Sequence, residues 1–274
     1  MSYDDSIELT FAENWPAEIR AISMPMGIHY LNQQDIFALS SSFETLRNEF
    51  NIPKVLDFSL DIEEFISGEL EKYPKGIFIK TSYGMFKQNP FAYSPIFSMR
   101  DFNSNVRWPD HRIENFLRNR LKFRSPFCIS ASPWVDIHPG TEFRIFISDR
   151  QNLGVSQYHC NQFYKLIHED LKIIKASLAS FSSRLVEVLH MDSVVADVFV
   201  HKDADGKCKT TLIELNPFNS LTDPCLFSWV GGGDFDGTFR YVSSDFKKQH
   251  VEKAVRYSSD EDPWHLPAEI GRRM

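Results

Sequence analysis

The stretch TLIELNPFNSLTD, Thr211 to Asp223, carries an acid and an amide two residues apart where a strand should be filling a core. Alternate strand side chains share a face, so Glu214 and Asn216 point the same way, roughly 7 Å apart, and Ile213 and Leu215 point the other way. In the preceding run SVVADVFV, Asp197 shares a face with Val195 and Phe199. Where these polar faces coincide, Asp197, Glu214 and Asn216 form an all-oxygen set suited to Mg2+, which takes few protein ligands and completes its octahedron with water and phosphate oxygens. The missing ligands would then be nucleotide phosphates. Two cations are candidates to meet them: Lys80, ending GIFIK, and Arg144, in EFRIFISD on the face of Glu142 and Phe146. Lys80, Arg144 and Glu142 are therefore the candidate cofactor-binding residues, and Asp197, Glu214 and Asn216 the candidate metal ligands.

Each feature has an ordinary alternative. A lone acid on a strand is more often a solvated residue, Asn216-Pro217 can start a turn, and Arg144 with Glu142 can form a surface ion pair of little energetic value. A lysine at a strand end is common. No GxxxxGK[ST] and no GxGxxG occurs, so neither glycine-rich phosphate loop supports a nucleotide here.

The elements that must position these residues follow from periodicity. The N-terminal part reads as a strand-like stretch around Ile19 to Met24, a helix over Ser42 to Phe50, and a helix capped by Ser59 with Ile62, Phe65, Ile66 and Leu70 inward. GIFIK is a strand, and TSYGMFKQNPFAYSP a long loop. His111 to Phe123 reads as a helix burying Ile113, Phe116 and Leu117, with Arg112, Arg118, Arg120 and Lys122 on an outer face or in a pocket. A β-rich half follows: an extended run from Phe127 to Ile137, then EFRIFISD turning at Arg150-Gln151-Asn152 into LGVSQY. A long helix spans Glu169 to His190, and a last hairpin turns at Asp203 to Gly206. The domain reading is an N-terminal lobe over 1–130, a C-terminal lobe with the metal site over 131–257, and a mobile tail over 258–274.

The whole chain sets outer bounds. With 274 residues, 42% apolar, 24 Phe, 9 Tyr and 5 Trp, there is ample material for one large domain or two lobes. A net charge of −7 disfavours broad phosphate tracking, so nucleic acid is not an expected partner. Cys128, Cys160, Cys208 and Cys225 are scattered and form no CxxC pair, which fits a reduced, cytoplasmic setting. No stretch approaches the ~18 apolar residues needed to span a bilayer, so no membrane partner is expected. A monomer is expected.

The runs PWVDIHPGTEFRIFISDRQNLGVSQY, VVADVFV and LIELNPFNSLTDPCLFSW resemble the cell division cycle protein 123 family, a divergent branch of the ATP-grasp fold. The resemblance extends from Trp134 to Trp229 and faintly through the N-terminal third. It implies an α+β, ATP-grasp-like fold, two lobes with antiparallel sheets enclosing a nucleotide cleft. It further implies that Lys80 and Arg144 contact ATP, that Asp197, Glu214 and Asn216 hold Mg2+, and that the protein is an assembly chaperone for translation initiation factor 2 through its γ subunit. Glu214 stands where the family usually has Asp, and Thr81-Ser82-Tyr83-Gly84 and Ala131-Ser132-Pro133-Trp134 depart from its usual residues. A second hypothesis uses the same site: an ATP-dependent ligase that phosphorylates a carboxylate for attack by an amine or another nucleophile. A nucleotide-free scaffold is the third.

Overall fold

The structure, a computed structural model, describes residues 7–82, 84, 89–123, 126–203, 205–243 and 255–256. Residues 25–135 form one unit, and residues 1–24 join those from 136 onward in the other. The first 24 residues, grouped by sequence with the N-terminal lobe, thus fold with the C-terminal half. The segment 258–274 lies outside the described residues.

In the unit 25–135, β1 (Gly27–Tyr30), β2 (Ile77–Thr81) and β3 (Cys128–Pro133) make an antiparallel sheet in the order β1-β3-β2. Its core joins Ile77, Ile79 and Ile129 from the sheet to Ile62 and Ile66 of the helix Leu60–Lys72, Phe102 of Met99–Val106 and Leu117 of His111–Phe123. Burying each such side chain stabilises by about 1.5–3 kcal/mol. The inward stripes match the expected ones. One detail differs: Ser59 stands at the N-cap position, yet its hydroxyl donates to Asp35 Oδ2 at 2.9 Å, and Asp35 Oδ1 also accepts the Ser59 N–H. Of the two places expected for the helix's basic residues, Arg120 takes the inward one: it is buried, its guanidinium 4.6 Å from the Phe116 ring centroid.

The other unit is built on six strands: β4 (Glu142–Ser148), β5 (Gln151–Gln157), β6 (Val194–Lys202), β7 (Cys208–Asn216), β8 (Phe239–Val242) and β9 (Val255–Arg256), ordered β7-β6-β4-β5-β8-β9. One face is apolar at its centre. Phe143, Ile145 and Ile147 of β4 lie beside Val194, Ala196 and Val198 of β6, all fully buried. The helix Leu171–Val188 packs on β5, β6 and β7, presenting Ile174, Leu178, Phe181 and Leu185. The fold is α+β with two sheets, as the sequence implies.

Several boundaries move for identifiable reasons. Ile19 lies in a short helix, Ala17–Arg20, started by Pro16; only the tail of that stretch is extended, where Ile22 O and Met24 N bond to Leu212. The β4–β5 turn is Asp149-Arg150, both at positive φ, because Ser148 already pairs with Gln151. The Glu169 to His190 helix divides at Asp170, leaving Lys165–Glu169 and Leu171–Val188. The second sheet is not wholly antiparallel: β8 joins β5 in parallel through Val155↔Phe239 and Ser156↔Arg240.

The chain from Pro217 to Asp236 covers the second face of this sheet with aromatic rings. Phe227 and Phe235 pack on Phe146 with centroids 5.2 Å and 4.8 Å away, and Trp229 and Phe218 extend the cluster. Gly154, opposite Phe146, makes room for Phe227: a Cβ there would lie 2.4 Å from Phe227 Cζ, and φ is +152°. We expect Gly154→Ala to cost roughly 2–4 kcal/mol through overpacking and backbone strain. The shift of its urea midpoint from the wild type checks this.

Candidate functional site

The hairpin β6–β7 determines which side chains meet. Its ladder runs regularly from Lys202↔Cys208 to Val198↔Leu212, then shifts, and Asp197 pairs with Glu214. Ile213 is the extra residue, a β-bulge on β7. Without it, Ile213 would oppose Asp197 and Glu214 would oppose Ala196, on the apolar face. The bulge therefore turns Glu214, and with it Asn216, onto the face of Asp197, since a one-residue shift exchanges faces.

On the far side of β6, Asp197 pairs with Arg144 of β4. Arg144 Nε donates to Asp197 Oδ1 at 2.7 Å and Nη2 donates to Oδ2 at 2.8 Å, a bidentate pair. Asn216 Nδ2 adds a bond to Asp197 Oδ2 at 3.0 Å, and Arg144 Nη1 donates to the Asp223 carbonyl at 2.6 Å. Asp197 is 3% exposed and Arg144 4%, whereas Glu214 and Asn216 are partly exposed. Arg144 is thus no surface ion-pair partner.

Burial opposes the Arg144 cation, but the Asp197 carboxylate overrides it and holds the guanidinium protonated beyond the usual arginine range. Burial pushes the Asp197 carboxyl upward, Arg144 pulls it back, and Glu214 adds to the rise, so the balance is upward. The bidentate contacts favour the ionised pair at neutral pH, and the tendency to take up a proton grows as pH falls. The Tyr158 ring centroid lies 4.9 Å from the Arg144 guanidinium. Burial, reinforced by Asp197, pushes the Tyr158 hydroxyl upward; burial also pushes the Cys225 thiol up, with Arg144 opposing. Both shifts favour the protonated form.

The remaining candidates make contacts of their own. Glu142 starts β4 on the same face and bonds through Oε2 to His159 Nε2 at 2.8 Å. Lys80 belongs to the unit 25–135, paired with Ser130, its Nζ 5.8 Å from the Phe78 ring centroid. Residues not singled out by sequence complete a row across the sheet in continuous register: Glu214, Asp197, Arg144, Ser156 and Arg240. Ser156 and Tyr158 stand two residues apart on the strand that returns beside EFR, a period-two signal that could have flagged them. Nothing local flags Arg240, because β8 reaches β5 by a long connection.

Asp197 and Glu214 offer carboxylate oxygens. Asn216, with its amide nitrogen on Asp197, leaves its amide oxygen to accept. This hard donor set fits Mg2+ completed by water or phosphate. It holds two carboxylates, and among the described residues no group of three His, Cys, Asp or Glu could hold a metal. Of the three, Glu214 and Asn216 are the more exposed.

A family model described as D123 matches residues 119–264. A translation initiation factor eIF2 assembly protein from Xenopus tropicalis is 35% identical over 129 residues, 42% of this chain and 37% of that protein. One from Vanderwaltozyma polyspora is 33% identical over 109 residues, 39% of this chain and 28% of that protein. The chain therefore spans about a third of the length of the curated relatives it matches. The structure of Cdc123 from Schizosaccharomyces pombe superposes with a TM-score of 0.66 at 17% identity, covering 84% of this chain and 91% of that one, a likeness of fold.

Removing Arg144 tests the ion pair. Arg144→Met leaves Asp197 buried beside Glu214, and we expect a loss of about 3–5 kcal/mol near neutral pH. The variant's Asp197, deprived of the cation that pulled it down, binds its proton more tightly folded than unfolded. Stability is therefore retained at acid pH and lost as pH rises through the folded-state value. Urea unfolding at about pH 5 and about pH 7.5 should show a smaller deficit at the lower value.

Proposed function

The chain belongs to the D123 family, in keeping with its motif resemblance to cell division cycle protein 123, and from this we propose that it binds ATP with Mg2+ and serves as an assembly chaperone for translation initiation factor 2 through the γ subunit. The observation that carries the reading is the bulged hairpin, which aligns Asp197, Glu214 and Asn216 on one face beside Arg144. In this reading Asp197, Glu214 and Asn216 hold the ion, and Lys80, Arg144 and Glu142 serve the nucleotide side. When bound, Mg2+ would neutralise phosphate charge. Arg144 has three N–H groups engaged by Asp197 and Asp223 and at most two left for a ligand, so its main work is to keep Asp197 charged and oriented.

The names of the curated relatives, eIF2 assembly proteins, support the partner. We place the protein in the cytoplasm as a monomer, a setting that suits its free cysteines. No helix among the described residues is long and apolar enough to cross a membrane. An ATP-dependent ligase would use the same site residues and differs by forming ADP when an acceptor is present.

Calorimetric titration of ATP in the presence of Mg2+ tests the site. We expect the wild type to bind, and Asp197→Ala and Glu214→Ala to weaken binding at least tenfold, about the size seen when a metal site loses a supporting group. A pull-down with the γ subunit should succeed for the wild type and decline for both variants. ADP accumulating with a carboxylate acceptor would replace the chaperone reading with the ligase.

A further inference from the structure

Beyond the ligand-side residues, one buried cation lies too far away to touch a bound ion and yet is tied to the segment that holds Arg144. Arg240 stands at the end of the polar row, three strand spacings from Asp197, or roughly 14 Å. It is 2% exposed, and its guanidinium lies 3.9 Å from the Phe227 ring centroid. Nη1 donates to Leu226 O at 3.1 Å and to Asp234 Oδ2 at 2.8 Å, and Nη2 donates to Asp234 O at 2.7 Å. Nη2 also lies 3.2 Å from Asp236 Oδ2, so the same fork grips the covering segment at three points, Leu226, Asp234 and Asp236.

That segment is held to the row by two more side chains. Ser156 Oγ accepts the Leu226 N–H at 3.1 Å, and Arg144 Nη1 donates to Asp223 O. Asp223 and Leu226 are three residues apart, so fixing Leu226 fixes where the Asp223 carbonyl lies. The Asp223 carbonyl in turn helps set the plane of the Arg144 guanidinium against Asp197. We propose that Arg240 is a positioning residue for the metal and nucleotide site, acting through the Asp223–Leu226 strap on Arg144. The inference rests on the proposed Mg2+ and ATP site for its function, though the coupling itself requires no ligand.

The Arg240 charge is offset where it stands by the Asp234 and Asp236 carboxylates, which leaves little net field at a bound ion roughly 14 Å away, so geometry rather than charge should govern. Lysine keeps the charge but lacks the planar fork, and methionine keeps an apolar stem on Phe227. Arg240→Lys and Arg240→Met, confirmed folded by circular dichroism, should each bind ATP with Mg2+ roughly tenfold more weakly. In an Arg144→Lys background the Arg240→Met effect should disappear, because the group it positions is gone. A full charge rescue by lysine, or additive losses in the double variant, would overturn the proposal.

A second measurement separates this inference from the nucleotide reading. Hydrogen exchange of the 222–229 segment, followed without ligand, should speed up several-fold on Asp197→Ala in the wild-type background, since Arg144 loses its anchor. With Arg240→Met the strap is already loose, and Asp197→Ala should add nothing. An equal response in both backgrounds would defeat the positioning role even if ATP binds. Failure of the wild type to bind ATP, with the exchange pattern as expected, would remove the nucleotide reading and leave the coupling standing.

Discussion

Two opposite charges buried on one sheet face, Arg144 and Asp197, form the constraint around which the C-terminal unit is organised. Neither could be withdrawn from water alone, because an unpaired buried ion costs several kcal/mol after relaxation. Together they require β4 and β6 to be neighbours in one register, with Arg144 directly opposite Asp197. Their remaining hydrogen-bonding capacity recruits Asn216 from β7 and the Asp223 carbonyl from the covering chain. A polar centre of this kind is a demanding thing to bury, and the aromatic cluster of Phe146, Phe227, Trp229 and Phe235 supplies the apolar cover beside it.

The pairing also changes what each residue can do. An arginine on a strand next to candidate metal ligands reads most simply as a phosphate clamp, yet much of its donor capacity here is directed into the protein. Its effect on a ligand is then largely indirect: it keeps Asp197 ionised against the pressure of burial and of Glu214. Glu214, on the neighbouring strand, is more exposed than Asp197.

Much of this was legible in the sequence. Alternation in EFRIFISD and SVVADVFV placed Arg144 and Asp197 on definite faces, and the 3.6-residue repeat gave both the His111–Phe123 helix and most of Leu171–Val188. What escaped was set by contacts distant in sequence or by single-residue irregularities. Ser59 looked like a cap because its type and place fit, but the buried Asp35 carboxylate is the stronger acceptor for its hydroxyl. Arg240 gave no local sign of its place because only the parallel β5–β8 ladder brings it into the row. Whether Glu214 would face Asp197 depended on one extra residue that periodicity alone does not locate.

That extra residue has a consequence for how the hairpin assembles. Zipping from the turn at Asp203 to Gly206, the two strands form five regular pairs before reaching Ile213. There the chain meets a fork: continuing in step is locally the simpler path, and pausing to expel Ile213 is the native one. Continuing in step would push the Glu214 carboxylate under the Leu171–Val188 helix and leave Leu215 facing the Arg144 row. The acid that would serve as a ligand therefore also acts as a proofreader of the ladder, making the misaligned hairpin the costlier product. That second role is a property of the ladder alone and asks for an acid at position 214 whether or not any ligand is present.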